Sequence, residues 1–184
     1  MKKPNFNALT PAYGIPYSGA GGGGGGSSPQ LPGSPPPPTS GDVRRFYMNQ
    51  SDTHLSSMRF GTTTIGVSGC GILSIAMIIS RDQNISDQAG QVAIVQAVIN
   101  SALYTGNQNL LARSSTISIN GVTYNVSRST TRPANFNNTI IQYPTHFVLA
   151  VNNDLVKDAG ARTVTTVADA DAMWGQQSAW WSVH

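Results

Sequence analysis

The stretch TTIGVSGCGILSIAMIIS, Thr63–Ser80, carries the only cysteine of the chain, Cys70, between two glycines at the head of an apolar run. A thiol becomes a strong nucleophile only as the thiolate. The unpaired N–H groups and dipole of a helix N-terminus stabilise that anion. Glycines beside the sulfur let a substrate backbone approach it closely. Cys70 also suits a plainer role, because free cysteine is often a small buried apolar residue. A nucleophile needs a base, and the base needs an orienting group. The candidate bases are His54, His146 and His184. His184 is the last residue and is expected to fray. His54 lies in QSDTHLSSM, which reads as a loop. His146 opens the apolar strand HFVLAV after Pro144-Thr145, where it either aims its ring at a cleft or stands exposed at a strand end. Asp158 is the candidate orienting acid. With a turn at Asn152–Asp154, its strand runs antiparallel to that of His146 and brings the two side chains close. Asn152, Asn153 and Asp154 are rivals that a tight turn explains better.

The elements that must position these groups are legible in the surrounding pattern. Residues 1–41, with six consecutive glycines and the run Pro35–Pro38, read as a disordered Gly/Pro-rich leader and linker. The folded domain is expected over 42–184. Arg44–Asp52 reads as a short strand entering a turn. Cys70–Ser80 reads as a buried helix capped near Ser68 or Gly69. Ser86–Leu103 begins with capping chemistry at Ser86 and Asp87, and Val92, Val95, Ala97, Ile99 and Leu103 make its expected apolar face, with Gly90 weakening the opening. Ser115–Ser127 alternates around Asn120-Gly121, the strongest short hairpin signal. His146–Val151 and Leu155–Asp158 form a second hairpin. Arg162–Val167 is expected as a strand, Ala168–Trp174 as a short helix and Trp180–Val183 as a closing strand. Helices first and antiparallel strands after imply an α+β domain.

Composition excludes several function classes. In 184 residues only 10% are charged, and the net charge is +3. The basic residues are scattered and lack interleaved aromatics, so a nucleic-acid partner is not expected. No window approaches the roughly 18 apolar residues of a membrane span. Pro4, Asn5, Asn7 and Pro11 interrupt any apolar core of a signal peptide after Lys2-Lys3. One cysteine and three scattered histidines offer no zinc-like spacing. The hexaglycine lacks the strand and helix of a phosphate-binding loop. No cofactor or metal is expected.

The segments FYMNQSD and MRFGTTTIGVSGCGILSIAMII, followed by THFV and Asp158-Ala159, resemble the C39-like, papain-fold cysteine peptidases. There, Tyr-x-Asn-Gln-x-Asp leads through Thr-Ile-Gly to Gly-Cys-Gly-Pro-Thr-x-x-Ala-Met, and later come Gly-His-Phe-Val and Asp-Pro. The likeness spans roughly residues 46–80 and 145–160. It implies a papain-like fold, with Cys70 as nucleophile at a helix N-terminus packed on an antiparallel sheet. His146 would be general base and acid, Asp158 the orienting residue, and Gln50 the side-chain donor of an oxyanion hole shared with the Cys70 N–H. Ile72-Leu73 stands where the family has Pro-Thr, and Thr145 where it has Gly. Asp158 follows His146 closely and lacks the family's proline.

The resemblance implies a cysteine peptidase acting on a protein or peptide, with cleavage after Gly-Gly as the preference of leader-processing relatives. On that preference the chain's own hexaglycine is a candidate self-cleavage site. Low charge and a linker without a signal peptide favour, by analogy, a secreted antibacterial toxin or effector, held in the producer's cytoplasm beside a protective immunity protein. The alternatives are a peptidoglycan amidase or endopeptidase and a non-catalytic binding module.

Overall fold

The computed structural model describes residues 45–101, 114–136, 139–160 and 164–184. The expected leader, the boundary at residue 42 and Leu103 lie outside them. The elements among the described residues are β1 (Arg59–Phe60), β2 (Thr63–Thr64), α1 (Ile65–Ser68), α2 (Cys70–Asp82), α3 (Gln88–Asn100), β3 (Ser115–Ile119), β4 (Val122–Ser129), β5 (Thr139–Gln142), β6 (Phe147–Ala150), β7 (Val156–Lys157), α4 (Val167–Trp174) and β8 (Ala179–Val183). Strands β3 to β8 form one antiparallel sheet in the order β3-β4-β8-β5-β6-β7, and β1 pairs with β2. Helices pack on this sheet, which makes the domain α+β.

Alternation along the strands explains how the sheet is covered on both faces. Ile140, Phe147, Leu149, Trp181 and Val183 face the core built on α2 and α3. Their neighbours Ile141, Val148, Ala150 and Trp180 face a second cluster with Val167 and Ala170 of α4. Every residue of β6 is therefore buried. Helix α2 is buried from Cys70 to Ser80, because the sheet, α3 and the segment bearing Met48, Leu55 and Phe60 surround it. Its two serines satisfy their hydroxyls within the chain: Ser74 donates to the Cys70 carbonyl at 2.8 Å, and Ser80 donates to the Ile85 carbonyl.

The hairpin at Asn120-Gly121 forms with both residues at positive φ, 52° and 77°, as a two-residue loop of this type requires. Asp87 caps α3 by accepting the Gly90 N–H at 2.9 Å. The apolar face of that helix differs from the expected one. Its buried residues are Gln91, Ile94, Val95 and Val98, while Val92, Ala97 and Ile99 are only partly covered. The stripe at 91, 94, 95 and 98 follows the helical period more closely.

Residues 47–49 form no strand. Their backbone is committed elsewhere: Asp52 accepts the Asn49 N–H at 2.7 Å, and Gln50 N–H goes to the Ala159 carbonyl at 2.8 Å. The expected strand Arg162–Val167 is reduced to a single bridge, Leu155 with Thr166. Thr166 instead caps α4 by accepting the Asp169 N–H, and Arg162 and Thr163 lie outside the described residues. His184 does not fray, because its N–H and carbonyl both bond to Asn125. No described helix is long and apolar enough to cross a membrane.

Candidate active site

Cys70 is the first residue of α2, and Gly69 caps that helix without a side chain. The turn from α1 into α2 brings the Gly69 N–H to the Ile65 carbonyl at 2.9 Å. A Cβ on Gly69 would sit 2.6 Å from that oxygen, so an alanine there forces the backbone to move. The glycine before the cysteine is thus a packing requirement of the turn that positions Cys70. Gln50 joins the same point: its Nε2 donates to the Ile65 carbonyl at 2.9 Å.

His146 immediately precedes β6, and Asp158 immediately follows β7. The pairing of Leu149 with Lys157 and Ala150 with Val156 fixes this end of the sheet. Continued one residue, it sets Asp158 opposite Val148, on the face that His146 also uses. The His146 Nε2 and Asp158 Oδ1 are 2.6 Å apart, with both residues buried. Asp158 is itself held: Oδ1 accepts the Gly160 N–H at 2.8 Å, and its carbonyl accepts the Tyr47 hydroxyl at 2.6 Å. Burial, then the Asp158 charge, pushes the Tyr47 phenol up, so it stays a neutral donor.

Burial alone would lower the pKa of His146. The hydrogen bond to Asp158, the hydrogen bond and charge of Cys70, and the charge of Asp158 outweigh it and raise His146 from its ordinary 6.5 to about 9. Cys70 is therefore near enough to the ring to act on its charge. With Nε2 committed to Asp158, Nδ1 is the nitrogen left for the sulfur. The ring's face is covered by Trp174 of α4, stacked at 4.2 Å and 26°. Tyr143 lies 5.6 Å from Trp174, centroid to centroid.

A raised histidine pKa has a consequence for stability. Its protonation stabilises the fold in full below about pH 6.5 and the contribution is lost as pH rises through about 9. Thermal unfolding across that window is expected to show a falling midpoint for the wild type and a shallower fall for Asp158→Asn, which keeps an acceptor oxygen but not the charge. Equal slopes would remove Asp158 as a source of the shift.

Of the residues singled out in the sequence, the fold brings together Cys70, His146 and Asp158, and sets Gln50 against the turn that leads into Cys70. His54 is directed elsewhere, bonded at 3.1 Å to Gln91 of α3. Sequence reasoning missed Trp174, Tyr47 and Gly160. Nothing local marks Trp174, whose role depends on α4 crossing the sheet. Gly160, two residues after the acid, carried a faint signal, since a residue next to a carboxylate in a tight turn often donates its N–H. Compared with known proteins, the chain matches no family model, no curated protein and no solved structure.

Proposed function

We propose that this chain is a cysteine peptidase of papain-like architecture, similar to the C39 group, that cleaves peptide bonds in a protein target. The observation that carries the reading is the buried His146–Asp158 pair at 2.6 Å, with Cys70 at a helix N-terminus near enough to raise the ring's pKa.

The chemistry follows from these positions. The Cys70 sulfur passes its proton to His146 and attacks the scissile carbonyl carbon. The oxyanion that forms is held by the Cys70 N–H, one of the first helical N–H groups that lack an intrahelical acceptor. Gln50 Nε2 adds a second donor, because an amide carries two N–H bonds and the Ile65 carbonyl takes one. His146 gives its proton to the departing amine, which leaves an acyl group on sulfur. The now neutral ring takes a proton from water, the hydroxide attacks the thioester, and Cys70 is released. Asp158 keeps the ring in the orientation that serves both transfers. The shielding by Trp174 keeps water from competing for the Asp158 bond.

The test is a comparison of wild type and Cys70→Ala, each incubated with soluble bacterial protein and, separately, with purified cell wall. New protein termini that appear only with the wild type are the expected result. Their absence would sink the reading, and released muropeptides in their place would move the target to the wall.

A further inference from the structure

The described residues include a cleft of about 550 Å³ lined by Arg132, Asp171, Gly175, Gln176, Gln177 and Trp180. Two of these residues connect to Trp174, whose ring covers the histidine. Gly175 follows Trp174 directly, and Asp171 Oδ1 accepts the hydroxyl of Tyr143, at 2.8 Å, whose ring contacts Trp174. Most polar groups of the cleft are used internally. Asp171 Oδ1 also accepts Gln177 Nε2 at 2.8 Å, and Gln177 Oε1 accepts the Trp180 Nε1–H at 2.9 Å.

Arg132 is different. It is exposed, and among the described residues no carboxylate lies within 4.0 Å of it. Its guanidinium carbon sits 5.1 Å from the centroid of the Phe136 ring. A guanidinium resting on an aromatic face still presents its planar edge, a fork of N–H donors that matches a carboxylate. In the proposed reaction His146 protonates the departing amine, so the half of the substrate that leaves first lies on the histidine's side of the sulfur. Trp174, stacked on His146, is followed directly by Gly175 of the cleft lining.

We propose that this cleft is the subsite for the leaving half of the substrate and that Arg132 selects a carboxylate there, from an acidic side chain or from a free chain terminus. The assignment to the leaving half rests on the peptidase reading; carboxylate binding does not.

The experiment uses the full chain carrying Cys70→Ala and three probes: acetyl-Ala-Glu-Ala-amide, acetyl-Ala-Gln-Ala with a free terminus, and acetyl-Ala-Gln-Ala-amide. Three tryptophans give three indole N–H resonances, and the one from Trp180 reports on the cleft. It is expected to shift with the first probe, the second or both, which tells side chain from terminus, and not with the neutral third. Adding Arg132→Gln is expected to weaken that binding about tenfold, the effect of losing one charge-assisted contact. Equal binding of the neutral probe, no shift with any probe, or binding unchanged by Arg132→Gln would each overturn the subsite. If the carboxylate probes bind but the wild type hydrolyses nothing, the peptidase reading fails and the binding site stands. Hydrolysis without a carboxylate preference keeps the peptidase reading and removes the subsite.

Discussion

Hydrolysis by His146→Ala is expected to fall by about ten-thousandfold or more, to the level of Cys70→Ala, with the double replacement no worse than either single one. In the proposed reaction one ring serves both proton transfers and Cys70 supplies the nucleophile, so removing either leaves the other without a task. Effects of groups that act as a unit do not add. The ring is buried under Trp174, so its deletion also removes packing. His146→Gln fills more of that space and is expected to be equally inactive, which separates chemistry from stability. Asp158→Asn is expected to lose less, because it disturbs orientation and charge but leaves sulfur and base in place. The measurement is the initial rate on whichever protein target the terminal-fragment comparison yields. A His146→Ala rate within about tenfold of the wild type would exclude the ring from the reaction.

Loss of the Trp181 side chain is expected to be the most damaging change to stability. Trp181 is fully buried on β8, between β4 and β5, and its Nε1–H bonds to Gln142 Oε1 at 2.9 Å. Trp181→Ala removes a large apolar volume from the main core and is expected to cost about 3–5 kcal/mol. That lowers the thermal midpoint by roughly 10 °C or more for a domain of this size. Trp181→Phe keeps most of the contact but leaves the amide oxygen of Gln142 without its donor, a cost of about 1–2 kcal/mol. Urea unfolding followed by circular dichroism measures both. An alanine variant within about 1 kcal/mol of the wild type would mean that this side of the sheet is not the centre of the fold. The most sensitive stability position is thus a residue with no proposed part in the chemistry.

The parts of the fold that local sequence sets were the parts it revealed. Asn120-Gly121 demands positive φ and so names its hairpin. Gly69-Cys70 before an unbroken apolar run names the start of α2. The spacing from His146 across a turn to Asp158 placed both on adjacent strands, and the side chains meet. Features that depend on distant partners stayed hidden. Thr139–Gln142 is too short to stand out, and it becomes a strand because β6 and β8 flank it. Arg162–Val167 has the β-branched look of a strand, yet Thr166 gives its side chain to the cap of α4 and the chain turns into a helix. Trp174 reads as an ordinary helix end until its ring is found on His146. The same holds for Arg132, an isolated cation in the sequence that the fold sets at the rim of a cleft.

The position of β8 bears on how the molecule is made. A chain is synthesised from its N-terminus, so β8 is the last of the described strands to leave the ribosome, although it occupies the middle of the sheet. Until then the hairpin β3–β4 and the ribbon β5–β6–β7 have no strand between them to pair with. Nascent chains therefore carry a sheet still in two parts, with His146 and Asp158 on one of them, until β8 emerges to join the two.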